Sequence, residues 1–303
     1  VPELPEITVY VERIRELAGG QVLDRIRLAS PFALRTVDPP PAALAGRTLT
    51  GASRLGKRIV LEFTEDYFAV MHLMLSGRLH WREPGAALHR RHGILALDFA
   101  VGSLQMTEAS SKHRASLHLI AGKSGLEQFW RGGADVLTAT PEELAQALKR
   151  QNRTLKRALS DPTIVDGIGN TFSDETLHRA RLSPFALTRE LSPEEILRLH
   201  SAASAVLCEW IERLRSEAGE GFPRKGATGR PELAVHGKFG HPCPVCGAPV
   251  QRIVYADSEA NYCPGCQTGG RVYADRSLSR LLRDDWPKTL EELERLERMG
   301  PAR

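Results

Sequence analysis

Apolar residues at helical spacing open the chain. Ile7, Val11, Ile14 and Leu17 recur every three or four positions and Gly19-Gly20 supplies the stop, which predicts an amphipathic helix. From about residue 21 to 121 the texture changes to short apolar runs bounded by Gly, Pro and Asp. Residues 22–28, 59–63, 68–73, 94–99 and 116–120 read as strands, and so many short strands predict a two-sheet sandwich or a barrel. A helical region follows. Thr140-Pro141-Glu142-Glu143 and Ser192-Pro193-Glu194-Glu195 are capping boxes with proline at the first helical position, and the second opens a long amphipathic helix ending near Arg215. Between them, residues 154–165 and 170–180 carry helical patterns joined by Asp166-Gly167-Ile168-Gly169. The glycine pair allows a tight turn, and Asn170 is a strong N-cap. The pattern fits a helix-turn-helix unit whose helix start would seat a phosphate, and equally a plain helical hairpin. Residues 219–240, rich in Gly, Pro and basic side chains, read as a flexible loop.

Composition adds bounds. A length of 303 residues predicts about two domains, and 42% hydrophobic with 26% charged residues is ordinary for a soluble globular chain. No run approaches the ~18 apolar residues of a membrane span, and the N-terminus shows no secretory pattern, so a cytoplasmic protein is expected. The charge balance, 41 basic against 37 acidic, is only +4. Its distribution is more informative. Arg47, Arg54, Lys57 and Arg58 form one basic stretch, and Lys149, Arg150, Arg153, Lys156 and Arg157 another. Each alone reads as a solvated face; together they allow a composite basic groove. Residues 275–303 carry seven charges of each sign. Residues 221–226 have a phosphate-loop spacing, but Ala227-Thr228 stands where Lys then Ser or Thr is required, which rejects that reading. HExxH, GxSxG and a strand-to-helix GxGxxG are all missing, removing the usual markers of metalloprotease, hydrolase and dinucleotide chemistry.

Four of the five cysteines form Cys243-Pro-Val-Cys246 and Cys263-Pro-Gly-Cys266, sixteen residues apart. Two CxxC knuckles at this spacing fit one tetrahedral zinc ion, with Gly247 and Gly265 permitting the tight turns. Disulfides are the competing reading, which a cytoplasmic chain disfavours. With four thiolates the ion would have no open position, so its role would be structural. Cys208, on the long helix, reads as a core residue.

The opening Val1-Pro2-Glu3-Leu4-Pro5-Glu6 places two prolines and two carboxylates before any helix. Here the sequence resembles the formamidopyrimidine-DNA glycosylase and endonuclease VIII family of base-excision repair. The same landmarks recur in order: Leu55-Gly56-Lys57-Arg58, the segment 72–77, Gly167-Ile168-Gly169-Asn170, Glu175, Glu232-Leu233-Ala234-Val235, and the four-cysteine finger ending in Gln267. The resemblance spans residues 2–270 and implies an α+β protein. Its expected parts are an N-terminal catalytic β-sandwich with a flanking helix (1–125), a helix-two-turns-helix DNA-binding domain (140–236), a zinc finger (237–270) and a helical C-terminal extension (271–303).

The resemblance also implies that residue 1 is removed, leaving Pro2 as a nucleophile. A terminal α-amine titrates near 7.7–8.0, well below lysine, so more of it is neutral at pH 7. Proline's secondary amine trims that advantage, but its attack on the sugar C1′ gives an iminium, an electron sink for β- and then δ-elimination. Glu3 would protonate the opened sugar oxygen and shuttle protons. Lys57 would hold the phosphate beside the lesion and Asn170 another. Glu6 and Glu175 would line or support the base pocket. The base must leave the stack, which calls for a void filler. The implied partner is damaged double-stranded DNA, bound by a monomer at the nucleoid of a bacterial-type cytoplasm, with no membrane.

Departures from the family pattern qualify specificity. Leu75 occupies the place of the intercalating methionine, with Met74 on a glycine; Leu75 is either an apolar wedge or, with Leu73, a core residue. Residues 107–115 lack the family's Arg-Arg-Phe, leaving Lys112, His113 and Arg114 to supply DNA contacts by another route. Ser258, flanked by Asp257 and Glu259, stands at the finger's DNA-gripping arginine, and the loop before Glu232 is short. Leu290, Leu293 and Leu296 in the extension fit packing on the body or a partner. The expected activity is a bifunctional DNA glycosylase and AP lyase that removes damaged bases. The rival is a lyase-only or non-catalytic binder of abasic or damaged DNA, and a third reading is an adaptor with a vestigial site.

Overall fold

Helix α1 spans Leu4–Ala18, so Pro5 and Glu6 lie within its first turn rather than ahead of it. Glu3 and Glu6 close a capping box at its start, and the Glu3 N–H donates to Glu6 Oε2 at 3.0 Å. Its buried face is Leu4, Ile7, Val11, Ile14 and Ala18. This computed structural model describes residues 2–110, 114–223, 225–255, 258–273 and 286–299. The chain forms two units, Val1–Gly132 with Cys208–Gly226, and Gly133–Leu207 with Ala227–Arg303.

The first unit is a sandwich of two four-stranded antiparallel sheets. One has the order β1 (Leu23–Leu28), β6 (Gly93–Phe99), β7 (Gly102–Glu108), β5 (Gly77–Arg82). The other has the order β2 (Leu49–Leu55), β3 (Arg58–Phe63), β4 (Tyr67–His72), β8 (Ser116–Ala121). Period-two alternation sorts the side chains. Ile59, Leu61 and Phe63 enter the main core with α1, whereas Val60 joins Phe68, Val70, Ile120 and Phe129 in a second cluster. Sequence pattern missed β2, β5 and β7. In β7 the reason is physical: Ser103, Gln105 and Glu108 are buried polar residues. Ser103 donates to Asp98 at 2.7 Å and Gln105 to the Ala86 carbonyl at 2.9 Å, so burial without apolarity is tolerated.

The second unit begins with β9 (Ala134–Asp135) and α2 (Pro141–Lys149), which has the expected Thr140/Glu143 capping box. The expected helix over 154–165 is shorter: α3 is Leu155–Ser160. Asp161 then accepts hydrogen bonds from the Thr163 N–H and hydroxyl, closing a turn, and Val165 lies in β10 (Val165–Asp166), parallel to β9. A second turn over Asp166–Gly169, with Gly167 at φ +81°, leads into α4 (Asn170–Ala180), giving helix, two turns, helix. Gly169 takes the N-cap conformation and Asn170 is the first helical residue, correcting the expected Asn170 cap. Helix α5 (Pro193–Ala218), whose residues from Cys208 on belong to the first unit, starts at the reciprocal Ser192/Glu195 box. Its buried positions include Leu199, Ala203, Leu207, Trp210, Ile211 and Leu214, whereas Cys208 falls off that stripe and is exposed, against expectation. The finger carries β11 (Gln251–Val254), β12 (Glu259–Tyr262) and the short α6 (Pro264–Gln267). A further helix spans Leu290–Met299, and no helix among the described residues is long and apolar enough to cross a membrane.

The β6–β7 turn tests the sandwich packing. A Cβ on Gly102 would lie 2.4 Å from the Trp81 ring, which stacks on Phe99. Gly102→Ala is expected to cost about 1–3 kcal/mol, read as a lower denaturation midpoint with unchanged far-ultraviolet circular dichroism.

Candidate functional site

The first unit gathers its candidate residues at one end of a sheet. Gly20 donates to the Leu49 carbonyl and Arg15 to that of Ala52, so α1 runs back along β2 with its start toward the Leu55 end, where the chain turns into β3. That turn has two residues, Gly56 at φ +60° and Lys57, the arrangement of a type II′ hairpin. Pro2, Glu3 and Glu6 are buried at the helix start, Glu3 at 1% exposure, and Lys57 is half-buried.

Strand register extends the site along the same rim. Leu55 pairs with Arg58, Arg58 with His72 and His72 with Ser116, so the Lys57 turn, the segment after His72 and the segment before Ser116 share one sheet end. Leu73 is buried, but Leu75 stands 52% exposed at the apex of a turn closed by the Gly77 N–H on the Leu73 carbonyl at 2.8 Å. The core reading thus holds for Leu73 and fails for Leu75. Met74 occupies left-handed backbone at φ +52°, where glycine would be unstrained. The Ser110 N–H donates to Ser76 Oγ at 3.0 Å, tying this turn to the next loop. Glu108, buried, accepts from the Arg114 and Ala115 N–H groups at 3.1 and 3.0 Å and leaves the Arg114 side chain exposed. Lys112 and His113 lie outside the described residues, as do Val1 and Asp257. Beside the turn opens a cleft of about 400 Å³ lined by Ser76, Arg78, His80, Thr107 and their neighbours.

His72 was not singled out as a site residue. Burial pushes its imidazole down to about 4, helped by the positive charges of Arg58 and Lys57 and by the neighbouring His118 and Arg131. The rim is thus electropositive without a charged histidine.

In the second unit Glu175 is buried, and its carboxylate accepts the backbone N–H groups of Ala234, Val235 and His236 at 2.8–3.0 Å. Burial raises its pKa against the pull of those three amides, and Asp174 adds to the rise. Glu175 thereby fixes the 234–236 segment. Lys156, expected on a basic surface, is 5% exposed and ion-paired with Asp174 at 2.7 Å. Asn170 is half-buried at the α4 start.

The ligand atoms of Cys243, Cys246, Cys263 and Cys266 lie within 4.8 Å of one another. The Cys243–Cys266 and Cys246–Cys263 sulfur pairs are 3.9 and 3.3 Å apart. A tetrahedron of zinc–thiolate bonds has edges of about 3.8 Å, so the cage fits structural zinc. Gly247 supports one knuckle at φ +77°, whereas Gly265 serves by closeness, since a Cβ there would sit 3.1 Å from Cys246 Sγ. Buried His178 of α4 places Nε2 3.3 Å from Cys243 Sγ, and Gln267 Nε2 donates to the Leu182 carbonyl at 3.0 Å.

These parts, in this order along the chain, are those of zinc-finger DNA-repair glycosylases. The chain matches the formamidopyrimidine-DNA glycosylase N-terminal domain over residues 1–113, its H2TH domain over 134–219, and the zinc finger found in that enzyme and in isoleucyl-tRNA synthetase over 240–269. It is 31% identical to a formamidopyrimidine-DNA glycosylase of Exiguobacterium, covering 88% of this chain and 99% of the relative. A formamidopyrimidine-DNA glycosylase-like protein of Mycobacterium tuberculosis is 40% identical over 50% of this chain and 94% of its own length. The structure of Lactococcus lactis Fpg with abasic-site DNA superposes with a TM-score of 0.78 at 26% identity, covering 88% of this chain and 99% of that one. The chain belongs to the formamidopyrimidine-DNA glycosylase family.

Two measurements probe these environments. A histidine held neutral in the folded state favours folding fully above its unfolded value of 6.5, and that contribution is lost as pH falls toward about 4. Stability should therefore decline over that window, and His72→Gln should flatten the decline in denaturant titrations at successive pH values. His178→Phe removes the donor to Cys243 Sγ, and zinc affinity measured by chelator competition should fall about 10–100-fold.

Proposed function

We propose that the chain is a bifunctional DNA glycosylase and AP lyase acting on damaged double-stranded DNA as a monomer. The observation that carries this reading is the buried Pro2-Glu3 helix start, directed toward the end of β2 that carries the Lys57 turn. With residue 1 removed, the Pro2 nitrogen lone pair attacks C1′ of a flipped nucleotide. The C1′–base bond breaks, the base leaves with a proton, and the sugar ring opens as Glu3 protonates its oxygen. The resulting iminium acidifies the C2′ proton. Its removal expels the 3′ phosphate, a second elimination expels the 5′ phosphate, and hydrolysis of the Schiff base returns the amine.

Lys57 holds the phosphate flanking the lesion, Asn170 grips another, and Leu75 fills the vacated stack while Arg114 and Lys112 contact the backbone or the opposite strand. Glu6 orders the helix start through the Glu3 N–H, and Glu175 supports the pocket side by holding residues 234–236. Cys243, Cys246, Cys263 and Cys266 would hold one zinc ion, which supplies folding energy to the finger and no chemistry. The functional division follows 1–125, 140–236, 237–270 and 271–303. A lyase-only or purely binding protein is the second reading, favoured by the exposed Ser258 where the family grips DNA with arginine.

Borohydride trapping on an abasic duplex tests the mechanism, after intact mass confirms that the chain starts at Pro2. An adduct mapping to the N-terminal peptide is expected, with Glu3→Gln lowering turnover by about 10²–10⁴-fold. A zinc-loaded, DNA-binding protein that gives no adduct would reverse the order of the two readings.

A further inference from the structure

Lys156 sits in the basic run 149–157, yet its ammonium is turned inward. It donates to the Asn170 carbonyl at 2.7 Å, to Ser173 Oγ at 2.9 Å and to Asp174 Oδ1 at 2.7 Å. These three bonds use its three hydrogens, so none reaches outward to a phosphate. Asp174, 0% exposed, accepts on its other oxygen from His236 Nδ1 at 2.8 Å and from Asn261 Nδ2 at 3.2 Å. A carboxylate only accepts, so His236 carries its proton on Nδ1. Asn261 lies on β12, two residues before Cys263, and its Nδ2 also donates to Glu259 at 2.9 Å. Its Oδ1 is buried with no partner among the described residues. Flipping the amide would turn that oxygen toward two carboxylates, so the orientation is fixed despite the orphaned atom.

We propose that Asn261, His236, Asp174 and Lys156 form a positioning relay that holds the Gly169–Asn170 turn from the finger hairpin. In it Lys156 sets the phosphate grip of Asn170 through its backbone carbonyl rather than by touching DNA. The inference rests on the reading that Asn170 binds a phosphate. The peptide unit is planar, so anchoring the Asn170 oxygen also orients the opposite N–H, that of Thr171, in the first turn of α4. Lys156 is accordingly a positioning residue. Its charge acts on the turn only while Asp174 keeps the ammonium in place, and His236 and Asn261 keep Asp174 in place.

The test uses the full, zinc-loaded chain and an abasic duplex. The pair variant Lys156→Met with Asp174→Asn removes both buried charges together and leaves an amide oxygen for His236. It should raise KM for strand nicking about tenfold, the scale of one charged hydrogen bond, with kcat unchanged. The salt dependence of binding should keep its slope, because Asn170 is neutral and Lys156 reaches no phosphate. Asn170→Ala should reproduce the rise in KM at the same slope, and adding it to the pair variant should add nothing further. His236→Asn, which keeps a donor at the Nδ1 position, should behave as wild type, and His236→Leu should shift KM in the same direction as the pair variant. Should the pair variant fail to fold, the His236 comparison decides, because it leaves the ion pair intact. Unchanged KM in a folded protein would overturn the relay, as would a shallower salt slope in the pair variant, which would mean that Lys156 itself touches phosphate, or effects that add to Asn170→Ala or occur when Asn170→Ala is silent. A wild type that binds the duplex without nicking or trapping would defeat the catalytic reading alone, because the duplex Kd, read in place of KM, still decides the relay.

Discussion

Asp174 and Glu175, neighbours in sequence on the buried helix α4, are the constraint around which the second unit is built. Two adjacent carboxylates withdrawn from water are costly unless each finds its own donors. They solve this in different ways. Asp174 takes a cation and two side-chain donors, whereas Glu175 takes three consecutive backbone amides. The second solution has a structural consequence. Residues 234–236 belong to no helix or strand, so their amides would otherwise need water, and Glu175 gives them one buried acceptor group instead. With His178 reaching Cys243 and Gln267 reaching Leu182, the finger, the two-turn connection and this irregular segment are fastened to the same helix.

The first unit depends on direction rather than on charge. Because α1 runs antiparallel to β2, its start and the β2–β3 turn fall toward the same end of the sheet. The Glu3/Glu6 capping box fixes where the helix starts, and Gly56 fixes where the hairpin turns. Rigid elements set this rim, and the loops carry Leu75 and Arg114.

The sequence made the long-range plan legible and the buried polar chemistry much less so. The four-cysteine spacing, both capping boxes and α4 were readable because each is a local pattern with its own physical cause. The strands β2, β5 and β7 were not: β7 buries its polar residues against partners remote in sequence, and β2 and β5 each bury only a few side chains along polar stretches. Lys156 and Cys208 failed for a related reason. A basic run implies a solvated face and a helical cysteine a core position, but neither pattern records where Asp174 lies or where the stripe of α5 faces. His72, Glu108, His178 and His236 carried no local signal, because their partners are brought together only by folding. Of the candidate site, the Pro2-Glu3 start and Glu175 were found through ordered landmarks, and the cysteines through their own spacing.

The turn after β4 shows how strain bears on function. Met74 adopts left-handed backbone that costs a non-glycine residue roughly 1–2 kcal/mol, and Leu75 exposes an apolar side chain at the apex. Neither is needed to close the turn: the Gly77 N–H on the Leu73 carbonyl does that, and a Cβ at Gly77 would fall 2.2 Å from the same oxygen. Glycine at 74 and a polar residue at 75 would satisfy the local geometry at lower cost. Two unfavourable choices at adjacent positions, on the rim that also holds Lys57, are what a turn shaped to present an apolar apex would show. That supports Leu75 as the wedge of the proposed enzyme, since an apex that displaces a base must be apolar and unburied before DNA arrives.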